Sequence, residues 1–508
     1  MALAVAVAGS GLWACDSNDA TPSPHDSGTA DAGPDAKTAD PRDAGPGDAE
    51  PDAPAPLTAT FSPANKDENV GVRDPIRITF SEPVQISPNP VSLFRADGAA
   101  IASTAALSAD RRTLTVTPTS PFSAPAEVFA TFGDISTLDG KPFAPKPAWS
   151  WKIPYWHAVG RGSLDASHSA IYLAGGPDGQ IHAIHGRYDA SHRLRPFVSR
   201  IDGPQGTWHT LGDIGFVDDI APYSIAADPQ GAPVVFVPEE SSGNYRMRVR
   251  RWSGTDWKNV GYPFGITKTS HRQEHRAMAI DATGRMFVAF ADSTAGEEGY
   301  FTVVWAFDGN QWRSLGRVTS LSEGYVGSPS VAVDKEGTPY VSVTARGPSG
   351  GSALVRKFSS GAWVPAGPDP SLDGRSASLV RLAFDDAGEL FALMATAAGT
   401  ESDLRVARLD GGKWVQVGQP LGASRYDVSL THFVRGREGH LFALWRQAED
   451  VDNAASFHVA DVTRKDWSLV GPSFLVPYGG YDDSLAVESD GSPIVTVDSG
   501  GPVYRVNH

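Results

Sequence analysis

The sequence predicts an all-β protein whose larger part is a seven-bladed β-propeller, and three observations lead to this fold class. A short signature, Trp followed by three residues and then Gly, occurs seven times, with steps of 49 to 55 residues between successive Trp positions. A fixed period of this length indicates a repeat architecture in which each unit packs on its neighbours. Gly and Pro are frequent, with 53 and 39 residues, and no long stretch shows a helical period. The structural repeat is marked by Trp156, Trp208, Trp257, Trp312, Trp363, Trp414 and Trp467.

Residues 1–15 are expected to be a lipoprotein signal peptide. Their apolar run, residues 2–8, is too short to span a bilayer. The sequence Leu12-Trp-Ala-Cys15 resembles the bacterial lipobox, in which a small residue precedes a lipidated Cys. Cys15 is the only cysteine of the chain, so no disulfide can form within it. The basic segment that usually precedes such a run is missing, and we expect the translation start further upstream. The alternative is an unprocessed apolar N-terminus with a chance Cys.

Residues 16–56 are expected to be a disordered acidic linker. They contain nine Asp and one Glu against one Lys and one Arg, together with eight Pro and nine Ala. Such a segment buries too little apolar surface to offset its chain entropy, and its like charges extend it. Calcium binding by the Asp residues is the alternative, but the run has no fixed ligand spacing.

Residues 57–154 are expected to form a separate small β-sandwich. Its motifs include Thr60-Phe-Ser-Pro63, Pro75-Ile-Arg-Ile-Thr-Phe80, Ser81-Glu-Pro-Val84, Leu138-Asp-Gly140 and Trp149-Ser-Trp-Lys-Ile153. In this order they resemble the SbsA-type Ig-like domain of bacterial surface-layer and other secreted proteins. The resemblance implies a spacer or adhesion module without catalytic residues.

Residues 155–508 are expected to form the propeller. Within one unit, strand-like runs at residues 329–334, 338–344, 353–358 and 363–367 are separated by turns that contain Gly. The last unit supplies three strands only, and its Trp strand is missing. Residues 155–160 carry a Trp strand with no strands of their own before it. We therefore expect this N-terminal strand to complete the last blade and close the ring, which hides two sheet edges.

The repeated Trp residues are interpreted as blade packing, because they occupy the same place on the fourth strand of each unit. A carbohydrate-stacking platform is the alternative. Turns such as Phe307-Asp-Gly-Asn-Gln-Trp312 resemble degraded Asp-box turns, which are structural in sialidases and related propellers. A sialidase would also need three Arg, a Tyr–Glu pair and an acid on one face, and the sequence forces no such assignment.

Candidate ligand-binding residues lie in loops and strand ends that a propeller brings to one face. One long loop between blades is rich in polar groups, and two others carry Tyr and Asp. Arg381 and His432 stand at the top of the inner strand, where other blades have Ser or Ala. The alternative is ordinary solvated polarity. The loop candidates are His271, Arg272, Glu274, His275, Arg276, Tyr426, Asp427, Asp482 and Asp483.

No catalytic, metal-binding or cofactor-binding motif is recognised in the sequence. The run Gly347-Pro-Ser-Gly-Gly351 matches G-x-S-x-G, but it falls in a loop between strands and not on a strand-to-helix elbow. The net charge of −16 and the pI of 5.2, without a basic patch, argue against nucleic acid as a partner. The expected partners are membrane lipid, through the acyl anchor, and a glycan or a surface protein.

Two functions remain open from the sequence. The first is a monomeric, lipid-anchored protein of the cell envelope whose propeller binds a ligand or partner. The second is an envelope carbohydrate-active enzyme, a sialidase-like glycosidase or a lyase, on the same fold. A fold alone cannot decide between them. Two carboxylates that converge at the mouth of the channel would favour the glycosidase.

Overall fold

The computed structural model describes most of the chain from residue 56 onwards, and residues 1–55, with the expected signal peptide and nearly all of the linker, lie outside the described part. In the described ranges, every regular element is a β-strand. No helix there is long and apolar enough to cross a membrane. The described residues are 56–72, 74–120, 122, 124–160, 164, 171–177, 179–188, 194–202, 206–214, 224–241, 244–268, 276–292, 301–318, 325–347, 350–398, 401–424, 428–448, 455–476, 483–488, 490–497 and 502–506.

The first ten strands form a β-sandwich. Two four-stranded antiparallel sheets have the orders β1-β2-β7-β6 and β10-β8-β4-β5, and β3 pairs with β9. In β2, Ile76, Ile78 and Phe80 are buried while the residues between them are exposed, which is the alternation of a strand with one face on a core. The strands are β1 (Ala59–Ser62), β2 (Ile76–Phe80), β3 (Val84–Ile86), β4 (Val91–Arg95), β5 (Ala100–Ile101), β6 (Ser103–Leu107), β7 (Thr113–Pro118), β8 (Ala126–Phe132), β9 (Ile135–Thr137) and β10 (Trp149–Ile153).

The edge strand β10 carries the largest buried side chains of this sandwich. Trp149, Trp151 and Ile153 are almost fully buried, with exposed fractions of 2%, 1% and 0%. The indole N–H of Trp149 donates to the carbonyl of Pro63 at 3.0 Å. Residues of both sheets belong to one core, and β10 supplies three of its most buried side chains.

The remaining strands form seven sheets in the described residues, each of four or five antiparallel strands. The first strands of the sheets are β12, β16, β21, β25, β30, β34 and β39. Each of them contacts the first strand of the next sheet, and β39 contacts β12, so that these inner strands close a ring around an axis. The predicted fold class, a sandwich followed by a β-propeller, is confirmed.

The strands of the first four propeller sheets, with the closing strand β11, follow the repeat period. They are β11 (Trp156–Ala158), β12 (Tyr172–Gly175), β13 (Gln180–Tyr188), β14 (Leu194–Asp202), β15 (His209–Asp213), β16 (Ser224–Ala227), β17 (Pro233–Ser241), β18 (Asn244–Trp252), β19 (Trp257–Asn259), β20 (Phe264–Lys268), β21 (Arg276–Ile280), β22 (Met286–Asp292), β23 (Phe301–Phe307), β24 (Trp312–Arg317), β25 (Tyr325–Val333), β26 (Pro339–Gly347), β27 (Gly350–Ser359) and β28 (Ala362–Pro365).

The last three sheets continue in the same way. Their strands are β29 (Ser371–Leu372), β30 (Arg375–Phe384), β31 (Leu390–Ala398), β32 (Glu401–Asp410), β33 (Lys413–Ser424), β34 (Val428–Arg435), β35 (Leu441–Ala448), β36 (Ala455–Val462), β37 (Trp467–Leu469), β38 (Phe474–Val476), β39 (Ser484–Val487), β40 (Pro493–Thr496) and β41 (Tyr504–Val506).

Ring closure follows the sequence-based expectation. The last sheet has the order β11-β41-β40-β39, so that β11 from the start of the propeller supplies its fourth strand. Trp156 lies opposite Val506, and Ala158 lies opposite Tyr504. The pairing continues beyond β11, because the N–H of Val159 donates to the carbonyl of Val503 at 2.7 Å.

At four of the seven signatures, the Gly lies against the Trp ring of the next blade. The indole N–H of Trp312 donates to the carbonyl of Val260 at 2.7 Å, and Val260 directly precedes Gly261 of the preceding signature. A Cβ on Gly261 would lie 3.0 Å from the Trp312 ring, and its φ of 69° also favours Gly. The same bond to a carbonyl beside the preceding signature Gly is made by Trp156, Trp363, Trp414 and Trp467. The signature thus marks an interface between blades.

The simple four-strand prediction is incomplete at three places. The short strands β20 and β38 pair with the third strands of their sheets, β18 and β36, beyond the end of the fourth strand. The signature Gly has a positive φ and bends the chain there, which splits the fourth strand in two. In addition, β29 pairs with the start of β30.

The sandwich is joined to the closing strand by a side-chain amide. Asn69 accepts a hydrogen bond from the N–H of Ala158 at 2.8 Å and donates to the carbonyl of the same residue at 3.3 Å. Ala158 is the last residue of β11. The Asn69 side chain therefore pairs with β11 as a neighbouring backbone would.

Candidate functional site

The residues at one equivalent position of the seven inner strands surround a single cavity. The cavity has a volume of about 530 Å³ and lies on the axis of the ring. In four blades the position holds a small residue, and in three it holds Tyr172, Arg381 or His432. The small residues are Ser224, Ala277, Ser330 and Ser484.

The serines at this position connect neighbouring blades. The hydroxyl of Ser330 accepts a hydrogen bond from the N–H of Leu382 in the next blade, at 3.1 Å. The hydroxyl of Ser484 accepts one from the N–H of Leu173, at 2.9 Å, across the ring closure. A small polar residue is therefore sufficient for the structural work at this level of the ring.

Arg381 makes a comparable connection and adds a charge. Its Nε–H donates to the carbonyl of Thr431 in the next blade at 3.2 Å. Its side chain also lines the cavity, so the guanidinium group is held in place by the fold.

Further charged residues complete the wall. Arg276 begins β21, Arg446 lies on the second strand β35, and Asp483 immediately precedes β39. All three line the same cavity, as does Thr431. Asp483 is the one carboxylate among the described residues of the wall. In the described part of the chain, no group of three or more His, Cys, Asp or Glu residues could hold a metal ion.

The low dielectric of this site shifts two pKa values downwards. Burial lowers the pKa of Arg381 to about 10, and the nearby charge of Asp483 partly opposes this shift. Arg381 is therefore still protonated at neutral pH. Burial, and then the charge of Arg381, lower the pKa of His432 to about 3. The His432 Nδ1 lies 4.0 Å from an oxygen of Asp483, but the imidazole is neutral, so the pair is not a salt bridge.

The shifted pKa of His432 predicts a loss of stability in mild acid. The unfolded chain takes up a proton near pH 6.5, whereas the folded protein resists it until about pH 3. Between these values the unfolded state binds more protons, so stability falls as the pH falls. We expect about 1 kcal/mol or more to be lost between pH 6.5 and 4.5. Urea unfolding at several pH values should show a smaller loss for His432→Gln. An equal loss in both proteins would contradict the assignment.

The structure brings together four of the residues that the sequence singled out. Arg276, Arg381, His432 and Asp483 all line the axial cavity. The other candidates lie outside the described residues, and they are His271, Arg272, Glu274, His275, Tyr426, Asp427 and Asp482.

Sequence reasoning missed six polar residues of the wall. Tyr172 could have been found, because it occupies the same repeat position as Arg381 and His432. Arg446 gave no such signal, since it lies on a second strand. The missed residues are Tyr172, Ser224, Ser330, Thr431, Arg446 and Ser484. The G-x-S-x-G run shows no elbow, because Gly347 pairs with Gly350 at the end of a β-hairpin.

Comparisons with known proteins support the Ig-like part of the chain. Residues 52–152 match the bacterial Ig-like domain family, which confirms the expected Ig-like domain. No curated protein sequence has significant similarity to this chain.

Several solved structures share a distant likeness with the chain. An ulvan lyase of polysaccharide lyase family PL25 is 11% identical and has a TM-score of 0.44, with 68% of this chain and 96% of the lyase covered. An α-L-arabinofuranosidase of Fusarium graminearum is 13% identical and has a TM-score of 0.40, with coverages of 57% and 91%. An α-L-arabinanase of Penicillium chrysogenum is also 13% identical and has a TM-score of 0.40, with coverages of 60% and 97%. Likenesses at this level do not carry an activity to this chain.

Proposed function

We propose that this is a lipid-anchored protein of the cell envelope whose propeller binds a saccharide in the axial cavity. The linker and an Ig-like domain of SbsA type would hold the propeller away from the membrane. One observation carries the proposal: at a repeat position where Ser or Ala is sufficient, Tyr172, Arg381 and His432 face the cavity.

A hydroxyl group is sufficient for the link between blades at this position. Ser330 and Ser484 connect their blades with a hydroxyl group alone. A guanidinium group at the same level is held where its charge is disfavoured, as its lowered pKa indicates. Residues that cost stability where a simpler one would serve are expected at functional sites.

The wall of the cavity also suits a ligand rich in hydroxyl groups. It offers the hydroxyl of Ser224, the phenol of Tyr172 and the neutral imidazole of His432. The Thr431 hydroxyl donates to the carbonyl of Leu444 at 2.6 Å and can serve a ligand as an acceptor. Its volume of about 530 Å³ lies within the usual range of ligand pockets. Neutral imidazole and hydroxyl groups both donate and accept hydrogen bonds, as sugar hydroxyls do.

Calorimetric titration of the full chain with a panel of oligosaccharides would test this proposal. We expect Tyr172→Ala to weaken binding at least tenfold, which corresponds to about 1.4 kcal/mol. Tyr262→Ala is the matched control, because Tyr262 is 90% exposed and does not line the cavity. Equal binding by both variants, with wild-type melting curves, would place the ligand elsewhere.

An envelope carbohydrate-active enzyme is the second candidate, and the position of His432 close to Arg381 is the observation that favours it. A lyase needs a proton acceptor and a positive group close together, and both side chains line the cavity. A glycosidase needs two carboxylates, and the described wall supplies Asp483. Product assays for reducing ends and for ultraviolet-absorbing unsaturated sugars would decide. Turnover that His432→Gln abolishes would favour the enzyme, and binding without turnover would favour recognition.

The lipid anchor has its own test. Cys15 lies outside the described residues, and its lipidation after cleavage behind Ala14 is inferred from the sequence. Each buried CH₂ of an acyl chain contributes about 0.8 kcal/mol, so several chains anchor a protein stably. We expect Cys15→Ser to move the protein from the membrane fraction to the soluble fraction. Ser17→Ala should leave fractionation unchanged. A membrane-bound Cys15→Ser protein would refute the lipobox assignment.

A further inference from the structure

Among the described residues, the wall of the axial cavity carries more cationic than anionic side chains, whereas the chain as a whole is acidic. Arg276, Arg381 and Arg446 line it, against the single carboxylate of Asp483 among the described wall residues. His432 adds no charge at neutral pH, because its pKa is lowered to about 3. The complete chain has a net charge of −16. Three guanidinium groups in one cavity are therefore not a consequence of a basic composition.

The three arginines come from separate parts of the fold. Arg276 and Arg381 lie on inner strands of different blades, and Arg446 lies on a second strand. Neighbouring residues of one loop can carry like charges by chance of composition, but these three positions are 105 and 65 residues apart along the chain. The circular arrangement of the blades brings them to one cavity.

The cost of this arrangement points to an anionic partner. Like charges in a low dielectric repel each other, and burial already lowers the pKa of Arg381. Guanidinium groups bind carboxylate and sulfate oxygens through two parallel hydrogen bonds, and they lose less hydration than an ammonium group would. An anionic group in the cavity would accept such bonds from guanidinium groups of three separate strands.

We propose that the ligand of the axial cavity carries a carboxylate or sulfate group, which Arg276, Arg381 and Arg446 bind. This inference rests on the proposed saccharide binding and specifies its substrate class, an acidic saccharide. Asp483 orients the site by repelling the anion from its own side of the wall. Tyr172 and His432 bind uncharged hydroxyl groups of the same ligand.

The test compares oligosaccharides of equal length and different charge on the full chain. The probes are cellotetraose, tetragalacturonic acid and a sulfated carrageenan tetrasaccharide, titrated calorimetrically at low and moderate salt. We expect at least one acidic probe to bind ten times more tightly than cellotetraose, and to lose affinity as salt rises. Whether the carboxylate or the sulfate probe is preferred identifies the group.

Two variants and a control connect the binding to the arginines. Arg446→Gln and Arg276→Gln should each weaken the acidic probe at least tenfold and leave weak binding of neutral sugar unchanged. Arg446→Lys, which keeps the charge and loses the planar fork, should recover part of the affinity. Arg313→Gln makes the same change in net charge on a side chain that is 66% exposed and outside the cavity, and it should bind normally.

The outcomes separate this inference from the proposed function. Equal binding of neutral and acidic probes, weakened by Tyr172→Ala, would overturn the acidic class and keep saccharide binding. Binding of acidic probes that Arg446→Gln and Arg276→Gln leave unchanged would also overturn it. No binding of any probe would refute the proposed function itself. If Arg446→Gln or Arg276→Gln melts below wild type, the affinity of Arg446→Lys for the acidic probe decides instead.

Discussion

Replacing Trp312 by Ala is expected to lower the free energy of unfolding by about 3–5 kcal/mol, the usual loss for a buried Trp. Trp312 is 9% exposed and stacks on Phe264 with ring centroids 4.3 Å apart. Its indole N–H also donates to the carbonyl of Val260 in the preceding blade. The substitution removes this bond and opens a cavity between two blades. Urea unfolding of the full chain would measure the effect, and Trp414→Ala should behave in the same way.

Two further variants separate packing from the hydrogen bond. Trp312→Phe keeps much of the ring contact and loses the indole N–H, for which we expect a smaller cost of about 1 kcal/mol beyond repacking. Tyr262→Ala, at a 90% exposed position, should cost less than about 0.5 kcal/mol. If Trp312→Ala and Trp414→Ala both melted within about one degree of wild type, the interface assigned to the signature would be wrong.

Deleting residues 1–160 is expected to disrupt the propeller, whereas deleting residues 1–153 should leave the ring closed. The longer deletion removes β11, which pairs with β41 as the fourth strand of the last sheet. It also removes the Trp156 indole, which donates to the carbonyl of Pro472 at 3.1 Å. The edge of β41 would then be unpaired and ready to pair with another molecule.

The cut after residue 153 is chosen from the structure. Trp149–Ile153 belongs to the sandwich core. A deletion that kept this strand and removed the strands packed on it would expose Trp149 and Trp151. Size-exclusion chromatography and urea unfolding should show a cooperative monomer for the shorter deletion and aggregation or loose folding for the longer one. Equal stability of the two proteins would mean that β11 does not belong to the propeller.

The architecture was predictable because one motif recurs at the repeat period and marks interfaces between blades. At Gly160, Gly261, Gly418 and Gly471, a Cβ would lie 3.0 Å or less from the Trp ring of the next blade, so at these interfaces the two residues depend on each other. The C-terminal unit lacks this motif and residues 155–160 carry a spare copy, which together predict ring closure. The added strands β20 and β38 were not predictable from period alone. They depend on how far the third strand extends beyond the bend at the signature Gly.

The site was predictable only where it departs from the repeat. Arg381 and His432 stand where other blades have Ser or Ala, and this contrast led to them. Tyr172 makes the same departure at the same position and could have been found in the same way. Arg446 lines the cavity from the second strand β35, and a comparison of the inner strands does not include this position.

The Asn69–Ala158 link determines how mechanical load would enter the ring. The chain leaves the sandwich at residue 154 and enters β11 at once, so any tension from the N-terminal side acts first on the seam of the propeller. A strand pulled from one end peels away bond by bond. Here the sandwich holds β11 at both ends, covalently at its start and through Asn69 at Ala158. The strand is therefore held at its far end as well as at its start, and the Asn69 bonds share a load that would otherwise act on the first bonds to β41 alone.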